Sequence, residues 1–336
     1  MKLDPDLIHY LTKEHFRVLT AVEMGMKNHE YVPVPLIESL AALKRSNTYK
    51  VVQFLLKHKL VMHMNKQYDG YALTYGGYDY LALKAFMKRG HIKQVSIKIG
   101  VGKESDIYLC ENCEGEMVVI KLARLGRTSF RTVKDNRDYL KGRTNHSWLY
   151  LSRIASLKEF AFMKALYNKG FPTPVPIDSN RHAIVMSHIK GYPMANIKEL
   201  GNAKKVYTAL LEQIIRLAEH GLIHGDFNEF NLLINDDEEI TIIDFPQMTS
   251  TRHPNAQYYF QRDVVCVQDF FAKRFGLHFE GVPELACDIE KAEDLDREIK
   301  ASGFANENLG EEDRKALETI VSYSLLLTLL CSMSTI

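Results

Sequence analysis

Along the first ninety residues the apolar positions recur at the three-and-four spacing of amphipathic helices. Phe16, Leu19, Ala21 and Val22 predict a helix over Glu14–Met26. Pro35, in Pro35-Leu36-Ile37-Glu38-Ser39-Leu40, opens a second helix in its first turn, where a missing N–H is tolerated. Val51, Val52, Phe54, Leu55 and Leu56 predict a third over Tyr49–Lys59, flanked by Lys50, Lys57, His58 and Lys59. Leu60–Met64 and Tyr71–Thr74 then read as short strands around Gln67-Tyr68-Asp69-Gly70, because Asp-Gly is a hairpin signal. Three helices and a hairpin make a winged helix-turn-helix, whose third helix would read a nucleic-acid groove. Such a module also serves as a protein-docking domain. A helix over Tyr78–Lys88 closes this N-terminal domain, residues 1–90.

From Ile97 the period changes. Ile97–Gly100 and Asp106–Cys110 read as strands around a glycine-bearing turn, and Met117–Leu122 as a third. Residues 124–147 are polar, basic and weakly patterned, as a flexible insertion would be. Ser156–Tyr167 is amphipathic, Pro172–Pro176 is an extended connector, and His182–Ile189 is a strand. Val206–Glu219 and Arg262–Phe275 are helices, with short strands Leu222–Ile223, Leu232–Ile234 and Thr241–Ile243 between them. Strands first and helices later predict an α+β chain: the winged helix, then a two-lobed domain over 91–275. Its N-lobe spans 91–186, its C-lobe 190–275, and 276–336 form a C-terminal extension.

Composition adds two things. The net charge of +1 hides local asymmetry: residues 1–90 carry 13 Lys/Arg against 8 Asp/Glu, and 121–143 carry 8 against 2, whereas 284–320 carry 5 against 12. Two basic regions suit an anionic partner, nucleic acid first, although solvated helix faces read the same way. The five cysteines are scattered and odd in number, which argues against a disulfide framework, and Cys110-x-x-Cys113 has no second pair to complete a zinc site. The N-terminus has no apolar signal core, and the apolar tail Tyr323–Ile336 is shorter than the roughly 20 residues a bilayer requires. A reducing, membrane-free compartment is expected.

The chemistry concentrates in His224-Gly225-Asp226-Phe227-Asn228-Glu229-Phe230-Asn231 and Ile242-Ile243-Asp244-Phe245-Pro246. Phosphoryl transfer from ATP needs a carboxylate to orient the attacking group, plus an amide and a carboxylate to hold Mg²⁺, with Mn²⁺ as the alternative ion. Asp226, Asn231 and Asp244 supply that set, at the spacing of H-R-D-x-x-x-x-N and D-F-G, with Gly225 replacing the Arg and Pro246 the Gly. His224 braces the loop. Upstream, Gly100-Val101-Gly102-Lys103-Glu104-Ser105 would cradle phosphates with backbone N–H groups and the Ser105 hydroxyl. Lys121, ending Met117-Val118-Val119-Ile120, matches the lysine that holds the α- and β-phosphates. Its carboxylate partner is Glu159, with Glu104 as competitor. Met186, Ser187 and Ile189 mark the hinge, where backbone groups would take adenine and Met186 would limit the depth behind it.

These strings name a family. GVGKESDIY (100–108), RLGRTSFR (124–131), SWLYLSR (147–153), KEFAFMKAL (158–166), HGDFNEFN (224–231) and IIDFPQM (242–248) resemble the RIO atypical serine/threonine kinases. FRVLTAVEMGMKNHE (16–30) and YDGYALTYGGYDYLALK (68–84) are similar to their winged-helix-bearing subfamily, RIO kinase two. The resemblance implies a two-lobed kinase without the usual activation loop and peptide-docking helices, and no A-P-E motif intervenes between Pro246 and Arg262. It implies work on precursors of the small ribosomal subunit during rRNA processing, in the cytoplasm with shuttling through the nucleus. The winged helix and the basic loop 124–143 would contact rRNA, alongside ribosomal and assembly proteins. It further implies ATP hydrolysis as a conformational switch, with transient phosphate transfer to Asp244. A conventional Ser/Thr kinase for soluble proteins, and a non-catalytic assembly factor locked by ATP, are the alternatives.

Overall fold

The computed structural model describes residues 3–65, 68–102, 104–125, 148–278, 283–285 and 294–299. It divides into two compact units, residues 1–156 with 177–185, and 157–176 with 186–336.

In the first unit, helix α1 (Lys13–Gly25) starts at Thr12, whose hydroxyl and backbone N–H are both engaged by the His15 side chain. Helix α2 (Val34–Ala41) carries Pro35 in its first turn and ends at Ala42 in a left-handed conformation. Helix α3 (Arg45–Lys57) buries Val51, Val52 and Leu55 and leaves Tyr49, Lys50, Gln53 and Lys57 exposed. The hairpin of β1 (Val61–Met64) and β2 (Gly70–Leu73) follows, in the register Met64↔Gly70. Helix α4 (Tyr75–Lys88) begins three residues before the expected Tyr78, because the Thr74 hydroxyl accepts the Gly77 N–H and fixes the first turn. A Cβ on Gly77 would lie 2.2 Å from the Leu60 carbonyl, so this glycine lets α4 sit against the hairpin.

A five-stranded sheet occupies the rest of this unit, in the order β3 (Gln94–Val101), β4 (Ser105–Glu111), β5 (Met117–Ala123), β7 (Ala183–Ser187), β6 (Pro176–Asn180). Strand β6 starts at Pro176, the last residue of the expected connector. Proline is tolerated as the first residue of an edge strand, so Pro176 opens β6 without breaking a ladder. The sheet and the winged helix share one apolar core. Leu19, Val52, Leu60, Tyr80 and Phe86 belong to the same buried cluster as Val95, Tyr108, Ile120 and Val185. The expected boundary at residue 90 therefore separates two sequence patterns within a single packed body.

Helix α5 (Trp148–Asn168) starts eight residues earlier than Ser156 and runs from the first unit into the second. The second unit also holds α6 (Ala203–Glu219), capped by Asn202, and α7 (Ala256–Phe275), which starts well before Arg262 and ends at Gly276 with φ +67°. Three strands, β8 (Tyr192–Pro193), β10 (Leu232–Ile234) and β11 (Ile240–Ile242), form one ribbon in the order β11-β10-β8. Strands β9 (Leu222–Ile223) and β12 (Thr249–Ser250) form another. In the C-terminal extension, Leu295 is buried and donates its N–H to the His220 carbonyl. Most of that extension, like the basic loop from residue 126 onward, lies outside the described residues. Among the described residues no helix is long and apolar enough to cross a membrane.

Candidate active site

The turn between β3 and β4 closes with Val101 opposite Asp106 and the Gly102 N–H donating to the Ser105 carbonyl at 2.8 Å. Neither Gly100 nor Gly102 has positive φ. Their value is the missing side chain, which keeps backbone N–H groups approachable. Lys103 lies outside the described residues. The Glu104 carbonyl accepts the Arg124 N–H at 2.6 Å, which ties the turn to the end of β5. Lys121 stands on β5 opposite Ile107 and is buried, as is Glu159 on α5. These two residues fall in different units, so each is placed here only by its own element.

Met186 and Ser187 end β7. The Ser187 N–H donates to the Val175 carbonyl at 3.0 Å and its hydroxyl accepts the Val175 N–H at 2.9 Å. The Ser187 N–H and hydroxyl are thus spent on holding the connector. Among the described residues nothing accepts the Ile189 N–H, whereas its carbonyl takes the Gly191 N–H at 3.1 Å.

The second unit assembles the motif that the sequence singled out. Strand β9 delivers His224, which is buried edge-on against Phe227 and Phe245 and accepts the Asp226 N–H through Nδ1 at 3.3 Å. That is bracing, as expected. Gly225 has φ +79°, and a Cβ there would lie 2.8 Å from the Gln247 carbonyl. An arginine there would be strained by backbone conformation and by space together. Asp263 of α7, fully buried, accepts the Gly225 N–H at 2.8 Å and the Phe227 N–H at 3.1 Å. Burial pushes its carboxyl up to about 7, against the pull of those two N–H groups.

Asp226 is gripped by amides. Asn228 Nδ2 donates to Oδ1 at 2.9 Å, and Asn231 Nδ2 donates both to Oδ2 and to the Asp226 carbonyl, each at 2.9 Å. Gln247 Nε2 adds a long contact of 3.4 Å to Oδ2. Burial, and after it the charge of Asp244, raises the Asp226 carboxyl above the ordinary aspartate range, while Asn231, Arg262 and Asn228 pull it back. Asp244 follows β11 with φ +70°, a left-handed conformation that costs a non-glycine residue on the order of 1 kcal/mol or more. The Ile243 N–H bonds to the Asn231 carbonyl at 3.0 Å, so the two halves of the motif are stitched together. Downstream, Thr249 already pairs with Ile223, and α7 starts at Ala256, which leaves no room for a long activation segment.

With its Nδ2 committed, Asn231 has Oδ1 as its remaining ligand oxygen. One amide oxygen and the Asp244 carboxylate suit Mg²⁺, a hard ion that keeps waters and phosphate oxygens as its other ligands. Among the described residues there is no denser cluster of His, Cys, Asp or Glu able to hold a metal. Sequence reasoning missed Asn228, Gln247, Arg262 and Asp263. Asn228 sat inside the motif and was legible as a third amide. Arg262 and Asp263 read only as the polar side of a helix. Both Nη atoms of Arg262 are buried with no hydrogen-bond partner among the described residues, and its field reaches Asp226 and Asp263.

The RIO domain family matches residues 106–282, and the family described as Rio2, N-terminal, matches residues 8–89. The serine/threonine-protein kinase rio2 of Dictyostelium discoideum is 58% identical over 91% of this chain and 59% of that protein. The chain therefore spans under two thirds of that relative's length. The serine/threonine-protein kinase rio2 of Schizosaccharomyces pombe is 48% identical over 90% of this chain and 89% of its own. A crystal structure of the Rio2 kinase-ADP/Mg²⁺-phosphoaspartate complex from Chaetomium thermophilum is similar at a TM-score of 0.85 and 46% identity, covering 97% of this chain and all of that one.

Proposed function

Because the chain belongs to the Rio2 family of RIO kinases, we propose that it is an atypical serine/threonine kinase and ATPase that uses ATP with Mg²⁺ and passes the γ-phosphoryl group to its own Asp244. The observation that carries this reading is the amide collar that fixes Asp226 in the field of Asp244, itself held in a left-handed conformation. The phosphoaspartate named for the Chaetomium thermophilum Rio2 structure supports it. An Asp244 oxygen attacks the γ-phosphorus in line, an O–P bond forms as the bond to the β–γ bridging oxygen breaks, and ADP leaves. Water then attacks the acyl phosphate, giving its proton to Asp226, and inorganic phosphate departs with Asp244 regenerated. Bound Mg²⁺, held by Asn231 Oδ1 and Asp244, neutralises phosphate charge. Arg262 adds a fixed, buried positive charge acting on Asp226. With γ-labelled ATP, the chain should form an acid-stable, hydroxylamine-labile phosphoenzyme that Asp244→Ala abolishes. Normal labelling of Asp244→Ala would refute the acceptor role.

We propose that this switch works on a precursor of the small ribosomal subunit, in the cytoplasm with passage through the nucleus, a reading supported by the family resemblance. The exposed Tyr49, Lys50, Gln53 and Lys57 of α3 support an RNA-facing winged helix. Arg124 takes no part in such a surface, since it is buried in an ion network. Binding to RNA should weaken steeply with salt, and charge removal at Lys50 and Lys57 should flatten that slope. A salt-insensitive association would point to protein contacts instead. The short path from Asp244 to α7 disfavours a conventional kinase for soluble proteins; rapid multiple-turnover phosphorylation of a peptide would restore that reading.

A further inference from the structure

A buried polar network in the first unit joins the last helix of the winged-helix domain to the phosphate-binding turn. Arg124 makes a two-pronged pair with Asp79 of α4, Nη1 to Oδ1 at 2.7 Å and Nη2 to Oδ2 at 2.8 Å. Its Nε donates to Oδ2 of Asp106 at 3.0 Å, and Asp106 follows Ser105 of the turn directly. Lys98 of β3 closes the other Asp106 oxygen at 2.7 Å. The backbone N–H of the same Arg124 holds the Glu104 carbonyl. One arginine, three residues after Lys121, therefore holds Glu104 and Asp106, the residues on either side of Ser105, and α4 at once.

His182, wholly buried, sits with Nε2 2.8 Å from Asp79 Oδ1 and 3.0 Å from Arg124 Nη1. A single ring nitrogen cannot donate to the carboxylate and accept from the guanidinium. With Nδ1 buried and unbonded among the described residues, the Nε2–H tautomer leaves only an acceptor unmet, so Nε2–H donates to Asp79.

A second tie runs through Tyr75, the first residue of α4. Its hydroxyl lies 2.5 Å from the Leu125 carbonyl and 3.0 Å from the Ser152 hydroxyl, and the Leu125 N–H donates to Ser152 Oγ at 3.2 Å. The carbonyl accepts only, so the Tyr75 proton goes there and Ser152 donates to Tyr75. The result is a closed ring linking α4, the residue after Arg124, and α5. Glu159 lies two turns further along that helix.

We propose that Asp79 and Tyr75, residues of the winged-helix domain, are positioning residues for the nucleotide site, so that occupancy of the winged helix and of the phosphate turn are linked through α4. The inference rests on the nucleotide reading above. It makes the N-terminal domain a working part of the ATP site, and by reciprocity nucleotide must act back on α4.

The test uses the full chain and MgADP as probe. Asp79→Asn and Tyr75→Phe are near-isosteric, and each should weaken MgADP binding by about tenfold with native near-ultraviolet circular dichroism retained. Glu23→Gln is the control: it breaks the α1 contact to Arg181, at 2.7 Å, without touching the turn, and should leave affinity within about twofold. In the wild type, MgADP should slow amide hydrogen exchange across Tyr78–Lys88, and Tyr75→Phe should diminish that slowing. A merely structural role would leave exchange in α4 insensitive to nucleotide. Should Asp79→Asn fail to fold, Tyr75→Phe decides. Unchanged affinity in a folded Tyr75→Phe, or an equal loss in Glu23→Gln, would overturn the linkage. A wild type that does not bind MgADP would overturn the functional reading itself, and this inference with it.

Discussion

Two pairs of aspartates, one buried and one half-buried, are treated in opposite ways in this chain. Asp79 and Asp106 are met by Arg124 and Lys98 at 2.7 to 3.0 Å, so two carboxylates face two cations and the cluster is closed. Burial alone would lower the Arg124 guanidinium, but Asp79 and Asp106 outweigh it and raise it above its ordinary value. Asp226 is given only amide donors, keeps the like charge of Asp244 in its field, and has its carboxyl raised by burial. One cluster is complete as architecture. In the other, amides hold Asp226 and the positive charge of Arg262 acts on it through its field, an arrangement that suits a divalent cation.

The comparison breaks first at the open cluster. Asp244→Asn should eliminate the phosphoenzyme and lower ATP turnover by about 10²–10⁴-fold, measured as phosphate release under saturating ATP. Turnover within tenfold of wild type would mean that the strained aspartate is not where the chemistry happens. Second in size is the closed cluster. Asp79→Ala strands a buried guanidinium and should cost about 3–5 kcal/mol in denaturant melts. A loss under about 1 kcal/mol would show that the network is solvated in solution.

The open cluster was legible in the sequence and the closed one was not, for a physical reason. Asp226, Asn231 and Asp244 lie in two short strings whose spacing a loop and a strand end impose, so the chemistry is written locally. Arg124 meets partners 18, 45 and 58 residues away, and each member alone reads as an ordinary solvated charge. Arg124 was even counted among the basic-loop contacts to RNA. Helical and strand spacing recovered most elements, while starts slipped wherever a cap decided them, as Thr74 does for α4. Asp263 was hidden because its partners are backbone N–H groups, which no side-chain pattern reveals. Gly225 was read as a lost arginine, whereas its φ and the Gln247 carbonyl would put any side chain there under strain.

Asp263 stands between the two cases, since it is buried without a bonded cation yet held by two N–H donors. Its folded carboxyl, near 7, lies above the unfolded value of 3.8. Its contribution is therefore fully present below about pH 4 and is lost as pH rises through 7, on the order of 4 kcal/mol. In Asp263→Asn that part of the slope should vanish while turnover falls, because the amide cannot accept both N–H groups. Denaturant melts of the nucleotide-free chain at pH 5 and pH 8 measure this, and an unchanged pH difference would count against it.

The smallest effect separates the two clusters most sharply, because it has the opposite sign. Burial and the charge of Asp244 both work against the Asp226 carboxylate, so Asp226→Asn should stabilise the metal-free chain by about 1 kcal/mol even as it cripples turnover. Gln247 eases the exchange: its Oε1 is buried without a partner, and its amide needs only to turn over to accept from the introduced NH₂. Asn231 keeps its bond to the main-chain carbonyl at position 226 throughout. Replacing Asp79 by Asn has no such outlet, because Arg124 is already committed to both of its oxygens. Parallel melts of the two Asp→Asn variants in chelator should therefore move in opposite directions. If both lose stability, Asp226 is bound into the architecture as Asp79 is, and the open cluster is not open.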